Sequence, residues 1–337
     1  MKNRVNYIDI LKGIAIIAVV IGHTRCPDIL SKYVYTWDLP LFFAISGYLY
    51  DEKKWRGRFK DFVIQRVRTY LLPYFSVCFI IFLLNQIENF IIDQRPDALD
   101  LLANNLFGIL YSKSLSEYMI NAVPLWYLTC IFTASILFYW LVEIQREKKD
   151  LIFVSAESLI CVVVNCIIIG ADLPQLPWHI DSVMFAMPFM LLGHYVKCTY
   201  YEVWISSEFI FADILIGFIF SILNPGYVHF ATNRYGCIIF MYLGALFTIK
   251  GIWSLAYLLK KEKVLEFFGK NSLIIMCSNY YLDHILVRLL LEIGLDYYNI
   301  SWMYILVAVL IEIFIVIVLY RRLKSIIVNA IIKDDHF

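Results

Sequence analysis

Of the 337 residues, 61% are hydrophobic and 17% charged, against roughly a quarter charged in soluble domains. A mean hydropathy of +0.71, with 25 Phe and 24 Tyr along the chain, excludes a water-soluble globule and asks for lipid contact over most of the length. The 29 basic and 28 acidic residues leave a net charge of +1, so no global field recruits a polyanion and no nucleic-acid partner is expected.

A membrane-spanning helix needs about 20 mostly apolar residues. That window picks out ten segments, at approximately 6–24, 36–50, 69–92, 123–143, 150–171, 178–197, 206–223, 234–258, 271–292 and 300–320. The runs lack the period-2 alternation of barrel strands, so the fold class is all-α, a polytopic bundle of about ten transmembrane helices. Neither a repeat nor a low-complexity linker interrupts residues 1–337, which predicts a single domain. The eight cysteines form no C-x-x-C pair, so neither a disulfide framework nor a metal site is expected.

The first segment, YIDILKGIAIIAVVIGH, is expected to remain as an uncleaved span, since no small-x-small processing site follows Gly22-His23-Thr24. It carries Asp9, Lys12 and His23 in an otherwise apolar helix, where ionisable groups are costly enough to suggest function. Eleven residues of helix return to within about 20° of the start, so Lys12 and His23 share a face, roughly 16 Å apart along the axis. Ala15, Ala18 and Gly22 beside them allow close approach of a neighbour, which places this helix centrally.

The second segment is short and is entered at Asp38, which the hairpin returns to about the depth of His23. A carboxylate there would bond the imidazole and fix its tautomer; the alternative is a solvated loop acid. Ser46 and Gly47 follow, and Arg66 and Arg68 stand at the base of the third segment. Trp126 opens the fourth, as an interface anchor or a stacking platform. Later spans bury Asp181, Lys250, Asp283, His284, Arg288 and Glu312, with His284 and Arg288 one turn apart and facing either an outer polar cavity or neighbouring helices. His194 and His229 read as interfacial or loop histidines.

Orientation follows from the short loops, because Lys and Arg accumulate on the cytoplasmic side. Ten spans with the N-terminus inside put 21 of the 29 basic residues inside and only Arg25, Lys32, Arg95, Lys113 and Arg234 outside, with Lys12, Lys250 and Arg288 within spans. Both termini are therefore expected in the cytoplasm.

The stretches RVNYIDILKGIAIIAVVIGH, DLPLFFAISGYLY, QRVRTYLLPYF and VPLWYL resemble, in order and spacing, acyltransferase family 3 of integral-membrane acyltransferases, especially its fucose 4-O-acetylase-like members. The family's basic residue, ten residues and histidine fall on Lys12 and His23, and its F-F-x-x-S-G on Phe42, Phe43, Ser46 and Gly47. The chain departs from many relatives in having Asp38 and Ser278-Asn279 where they place histidines. The resemblance implies an enzyme of a bacterial cytoplasmic membrane, in contact with membrane lipid, that moves acetyl from acetyl-CoA to a hydroxyl of a surface glycan, without a metal.

On that reading His23 is the catalytic base, or alternatively carries an acyl-imidazole, with Asp38 orienting it. Ser46 and the Gly47 N–H would serve the oxyanion. Lys12, Arg66 and Arg68 would hold the donor's phosphates, and Trp126, His284 and Arg288 would meet the acceptor. The competing reading is a transporter of polysaccharide precursors, but its usual inverted repeats are not evident in the sequence.

Overall fold

The computed structural model describes residues 6–145, 151–171, 174–199, 205, 208–259 and 261–334. Of the basic residues in the charge pattern, Lys2, Arg4, Arg146, Lys148, Lys149 and Lys260 and the side chains of Lys324 and Lys333 lie outside the described residues. Among those described, the structure is helical, with a lone bridge between His229 and Arg234 as its β-type pairing.

Each of the ten apolar windows contains a helix. In chain order these are α1 (Asn6–His23), α2 (Asp28–Leu49), the short α3 (Glu52–Trp55), α4 (Phe59–Arg66), α5 (Leu72–Ile87), α6 (Ala98–Tyr111), α7 (Trp126–Gln145), α8 (Leu151–Gly170), α9 (Ile180–Thr199), α10 (Ile210–Leu223), α11 (Ile238–Leu258), α12 (Lys263–Lys270), α13 (Ser272–Glu292) and α14 (Trp302–Asp334). π-turns at Val67–Leu71 and Glu88–Ile92 make α4 and α5 one continuous rod. Among the described residues six helices are long and apolar enough to cross a membrane, at 59–92, 123–145, 151–170, 238–258, 272–292 and 302–322. The protein is a multi-pass membrane protein.

The second helix differs from its expected limits of 36–50. Ser31, Lys32 and Thr36 lower the hydropathy of the preceding stretch, but they are helical, and α2 runs over 22 residues. Lys32 is accommodated by donating to the Ile222 carbonyl, 2.9 Å away, and Thr36 by donating to the Lys32 carbonyl at 2.9 Å. Asp38 consequently lies ten residues inside a helix rather than at its entrance, about 15 Å along the axis from Asp28.

The core is centred on α1, as its polar stripe and small residues suggest. Ile10, Leu11, Ala15 and Ile16 are fully buried, and α1 packs on α2, α11, α12 and α13. Two glycines set the tightest approach: a methyl at Gly13 would lie 2.0 Å from the Leu265 carbonyl oxygen, and one at Gly269 1.6 Å from that of Asp9. Backbone therefore meets backbone, and α12 closes the end of the bundle where α1 begins. The same device joins α2 to α9, where methyls at Gly47 and Gly193 would each lie 1.9 Å from the carbonyl oxygens of Met190 and Ala44. Gly47 is thus spent on helix packing.

Several intramembrane charges are cross-links between helices. Lys250 on α11 pairs with Asp213 on α10 at 2.9 Å. On α13, Asp283 accepts from the Tyr297 hydroxyl at 2.9 Å.

Candidate functional site

Two cavities lie back to back in the bundle. The larger, about 620 Å³, opens where α2 ends and α13 begins; its polar wall includes Lys12, Ser46, Lys54, Arg66 and Lys197, with Asp51 the one carboxylate on it among the described residues. The smaller, about 290 Å³, lies at the C-terminal end of α1 and is lined by His23, Tyr35, Asp38, Trp126, His229 and Tyr280 among others. Tyr127 and Met276 line both. The wall between the cavities is therefore about one side chain thick.

The residues singled out in the sequence divide between these spaces. Lys12, Ser46 and Arg66 face the larger, whereas His23, Asp38 and Trp126 face the smaller. Arg68 is exposed and lines neither, since the π-turn that carries it turns it away from Arg66. His284 and Arg288 also line neither: His284 lies 3.0 Å from a Glu88 oxygen, and Arg288 bridges Glu88 and Asp93, the latter at 2.6 Å. That four-residue cluster ties α13 to the π-turn ending α5.

His23 is half-buried, with its ring edge-on to Tyr35 at 6.1 Å and to Tyr280 at 6.0 Å. Tyr35 is held by donating its hydroxyl to the Gly22 carbonyl at 2.6 Å, and its other side meets His229 at 5.7 Å between ring centres. Asp38 is neither the solvated loop acid nor the hydrogen-bonded partner of His23. It is 2% exposed, and its Oδ1 accepts from the Leu39 N–H at 2.6 Å. The longer α2 explains this: Tyr35, one turn earlier, takes the place beside the imidazole, and Asp38 joins the cavity a turn deeper.

Trp126 is buried and packs 4.5 Å from His179 between ring centres, so it is a wall of the smaller cavity rather than a lipid-interface anchor. The guanidinium of Arg66 lies over the Phe62 ring at 4.7 Å and the Tyr70 ring at 5.8 Å, a stacked pose that holds its charge at the larger cavity's rim.

Three features escaped the sequence reading. Lys54 and Lys197 were part of the general inside charge, yet they converge on the larger cavity from α3 and α9. His229, read as a loop histidine, is brought to His23 by the 229–234 hairpin, in which the His229 N–H donates to the Arg234 carbonyl and the Arg234 N–H to the His229 carbonyl. Burial pushes the His229 pKa below the usual imidazole value, and the Arg234 charge adds to the shift. Tyr127 stood beside Trp126 in VPLWYL without distinction. Its hydroxyl is buried with no hydrogen-bond partner among the described residues, on the wall shared by the two cavities. A buried hydroxyl left unbonded costs about 1–3 kcal/mol, and one facing two cavities is placed to donate to something bound there.

α1 is central, as its polar stripe and small residues led one to expect, with Lys12 lining one cavity and His23 the other. The sequence profile of the acyltransferase domain, acyltransferase family 3, matches residues 5–321. Neither a curated protein nor a solved structure matches the chain. With nearly its whole length matched and the motif residues assembled around two adjoining cavities, the chain belongs to acyltransferase family 3.

Proposed function

We propose that this acyltransferase moves acetyl from cytoplasmic acetyl-CoA to a hydroxyl of a cell-surface glycan or its lipid-linked precursor, in the cytoplasmic membrane of a bacterium. The observation that supports it most is the pair of cavities separated by Tyr127 and Met276, one basic and one holding His23. A thioester bearing phosphates suits the first; a sugar hydroxyl awaiting a base suits the second. Ten spans with both termini in the cytoplasm put the basic cavity on the side where the donor is made, in keeping with the inside bias of Lys and Arg.

Lys12, Lys54, Arg66 and Lys197 hold the donor's phosphates by charge-assisted hydrogen bonds, and the pantetheine arm runs along α1 toward Tyr127. The roughly 16 Å from Lys12 to His23 matches an extended arm rather than a compact ligand. In the transfer, the acceptor oxygen bonds to the thioester carbonyl carbon while its proton passes to His23. The C–S bond then breaks, and the departing thiolate takes that proton, leaving an acetyl ester and the free thiol. Tyr127 donates to the carbonyl oxygen as it gains charge, a role the sequence reading had given to Ser46 and Gly47. Ser46 instead contacts the donor. Trp126 and Asp38 shape the acceptor side, and His284 and Arg288 hold α13 in place.

The test is the purified protein in liposomes with radiolabelled acetyl-CoA and glycans extracted from the source cell envelope. His23-dependent appearance of base-labile label in the glycan is expected. Glycan movement across the liposome membrane without label transfer would establish the transporter reading instead.

A further inference from the structure

A third cavity, about 450 Å³, adjoins the His23 cavity and shares Ala231 and Thr232 with it. Its polar wall is Lys113, Gln175, Asp181, Asn233 and Arg234. Asp181 comes from the first turn of α9, and the others from three separate loops, at 112–122, 174–179 and 224–237, which the fold draws over one end of the bundle.

The basic residues here are exceptional for that end. Only five of the 29 Lys and Arg fall on the sparsely basic side. Three are engaged: Arg25 donates to the Tyr297 carbonyl, Lys32 to the Ile222 carbonyl, and Arg95 pairs with Asp97 at 2.9 Å. The other two, Lys113 and Arg234, have no carboxylate partner among the described residues, and both line this one cavity. Asp181 is the single carboxylate on the wall among the described residues, and both of its oxygens accept hydrogen bonds from the protein. It is 2% exposed and accepts from the Asn233 amide and the Leu176 N–H.

The surrounding framework is fixed. Gln175 donates to the Ser112 carbonyl at 2.8 Å and accepts from Ser114, tying two of the loops together. Ser182 donates to the Phe230 carbonyl at 2.8 Å, and Tyr235 donates to the Asn233 side chain at 2.7 Å, which hold the third. Asn233 takes the left-handed conformation, φ 52°, that reverses the chain so that His229 faces one cavity and Arg234 the next. Lys113 follows Ser112, also left-handed at φ 60°, and lies 4.6 Å over the Tyr118 ring.

We propose that Lys113 and Arg234 bind an oxyanion carried by the acceptor, a carboxylate or a phosphate, one sugar unit away from the hydroxyl that His23 addresses. The acceptor is thus an anionic glycan, either acidic in its sugars or still attached to a lipid diphosphate. The inference rests on the acceptor entering through the His23 cavity, and it deepens the proposed function by naming the acceptor's charge. Two cations converging from different loops give bidentate recognition that a neutral glycan cannot satisfy.

The test is binding, which needs no turnover and so fails separately from acetyl transfer. Detergent-purified protein is titrated with two probe pairs: fluorescent oligogalacturonate against maltohexaose, and a prenyl diphosphate-linked sugar against the same sugar on a neutral prenyl ether. Tighter binding of the charged member is expected in at least one pair, and which pair responds separates a sugar carboxylate from a lipid phosphate. Lys113→Gln and Arg234→Gln are each expected to weaken that member about tenfold, the loss of one charge-assisted hydrogen bond, without affecting the neutral one. Lys113→Arg and the control Arg95→Gln should leave it within a few-fold, and melting curves confirm that each variant is folded. Equal binding of charged and neutral members in both pairs, or Gln variants that weaken neither charged probe, overturns the proposal.

Discussion

His23→Ala removes a ring whose contacts are edge-on aromatic ones, to Tyr35 and Tyr280. Its loss is therefore expected to lower acetyl transfer by about 10²- to 10⁴-fold while leaving the melting temperature nearly unchanged. Initial rates and thermal melts of the same preparation check both halves, and near-normal transfer would remove His23 from the reaction. Tyr127→Phe deletes one oxygen that has no hydrogen-bond partner among the described residues. If that hydroxyl meets the developing oxyanion, turnover falls about 10²-fold with little change in KM for acetyl-CoA. Stability is held or rises, because an unsatisfied buried group has gone. Wild-type turnover in the variant would place the hydroxyl away from the reacting carbonyl. Lys12→Met is expected to raise KM for acetyl-CoA several-fold rather than abolish binding, since Lys54, Arg66 and Lys197 share the cavity, and Lys12→Arg to restore it. Helical spacing alone was enough to put Lys12 and His23 on one stripe. It was silent on Tyr127 and His229, whose place in the site comes from cavities that distant segments build around them.

At the scale of elements, glycines carry the closest helix contacts. At Gly193 a methyl would sit 1.9 Å from the Ala44 carbonyl oxygen, so α2 and α9 must separate to admit it. Gly193→Ala is expected to destabilise by about 1–3 kcal/mol, as overpacking does in a close-packed interior. Gly170→Ala, where nothing lies within 4 Å, should be harmless. Folded yield and thermal melting in detergent compare the two, and equal behaviour would mean that the α2 to α9 contact is looser than described. The consequence of Gly193→Ala reaches the site, because α2 carries Ser46 on one cavity and Asp38 on the other. The limits of α2 were the main error of the hydropathy reading: a polar run is still helical when its side chains bond to neighbouring carbonyls, as Lys32 and Thr36 do.

For the whole molecule, the proposed topology has a direct test in a background without native cysteines. A cysteine at Asp97 should react with an impermeant reagent on intact cells, and one at Arg58 only after permeabilisation; the reverse pattern rejects a cytoplasmic N-terminus. This orientation decides which cavity faces the cytoplasm, so it bears on the proposed chemistry as well as the fold. Amino-acid order alone determined that the chain is a helical membrane bundle, because apolar runs of spanning length leave no other way to satisfy the backbone in lipid. It also determined that α1 is central and that Lys12 and His23 are the first residues to examine, because helical periodicity is a local property. Only the tertiary structure decided that Ser46 and His23 face different cavities, that Asp38 lies a turn below the imidazole, and that His284 and Arg288 are held by Glu88 and Asp93. It likewise brought Lys113 and Arg234 into one pocket. Those outcomes depend on which helix faces pack and how closely glycines let them approach, and neither is encoded in any single segment.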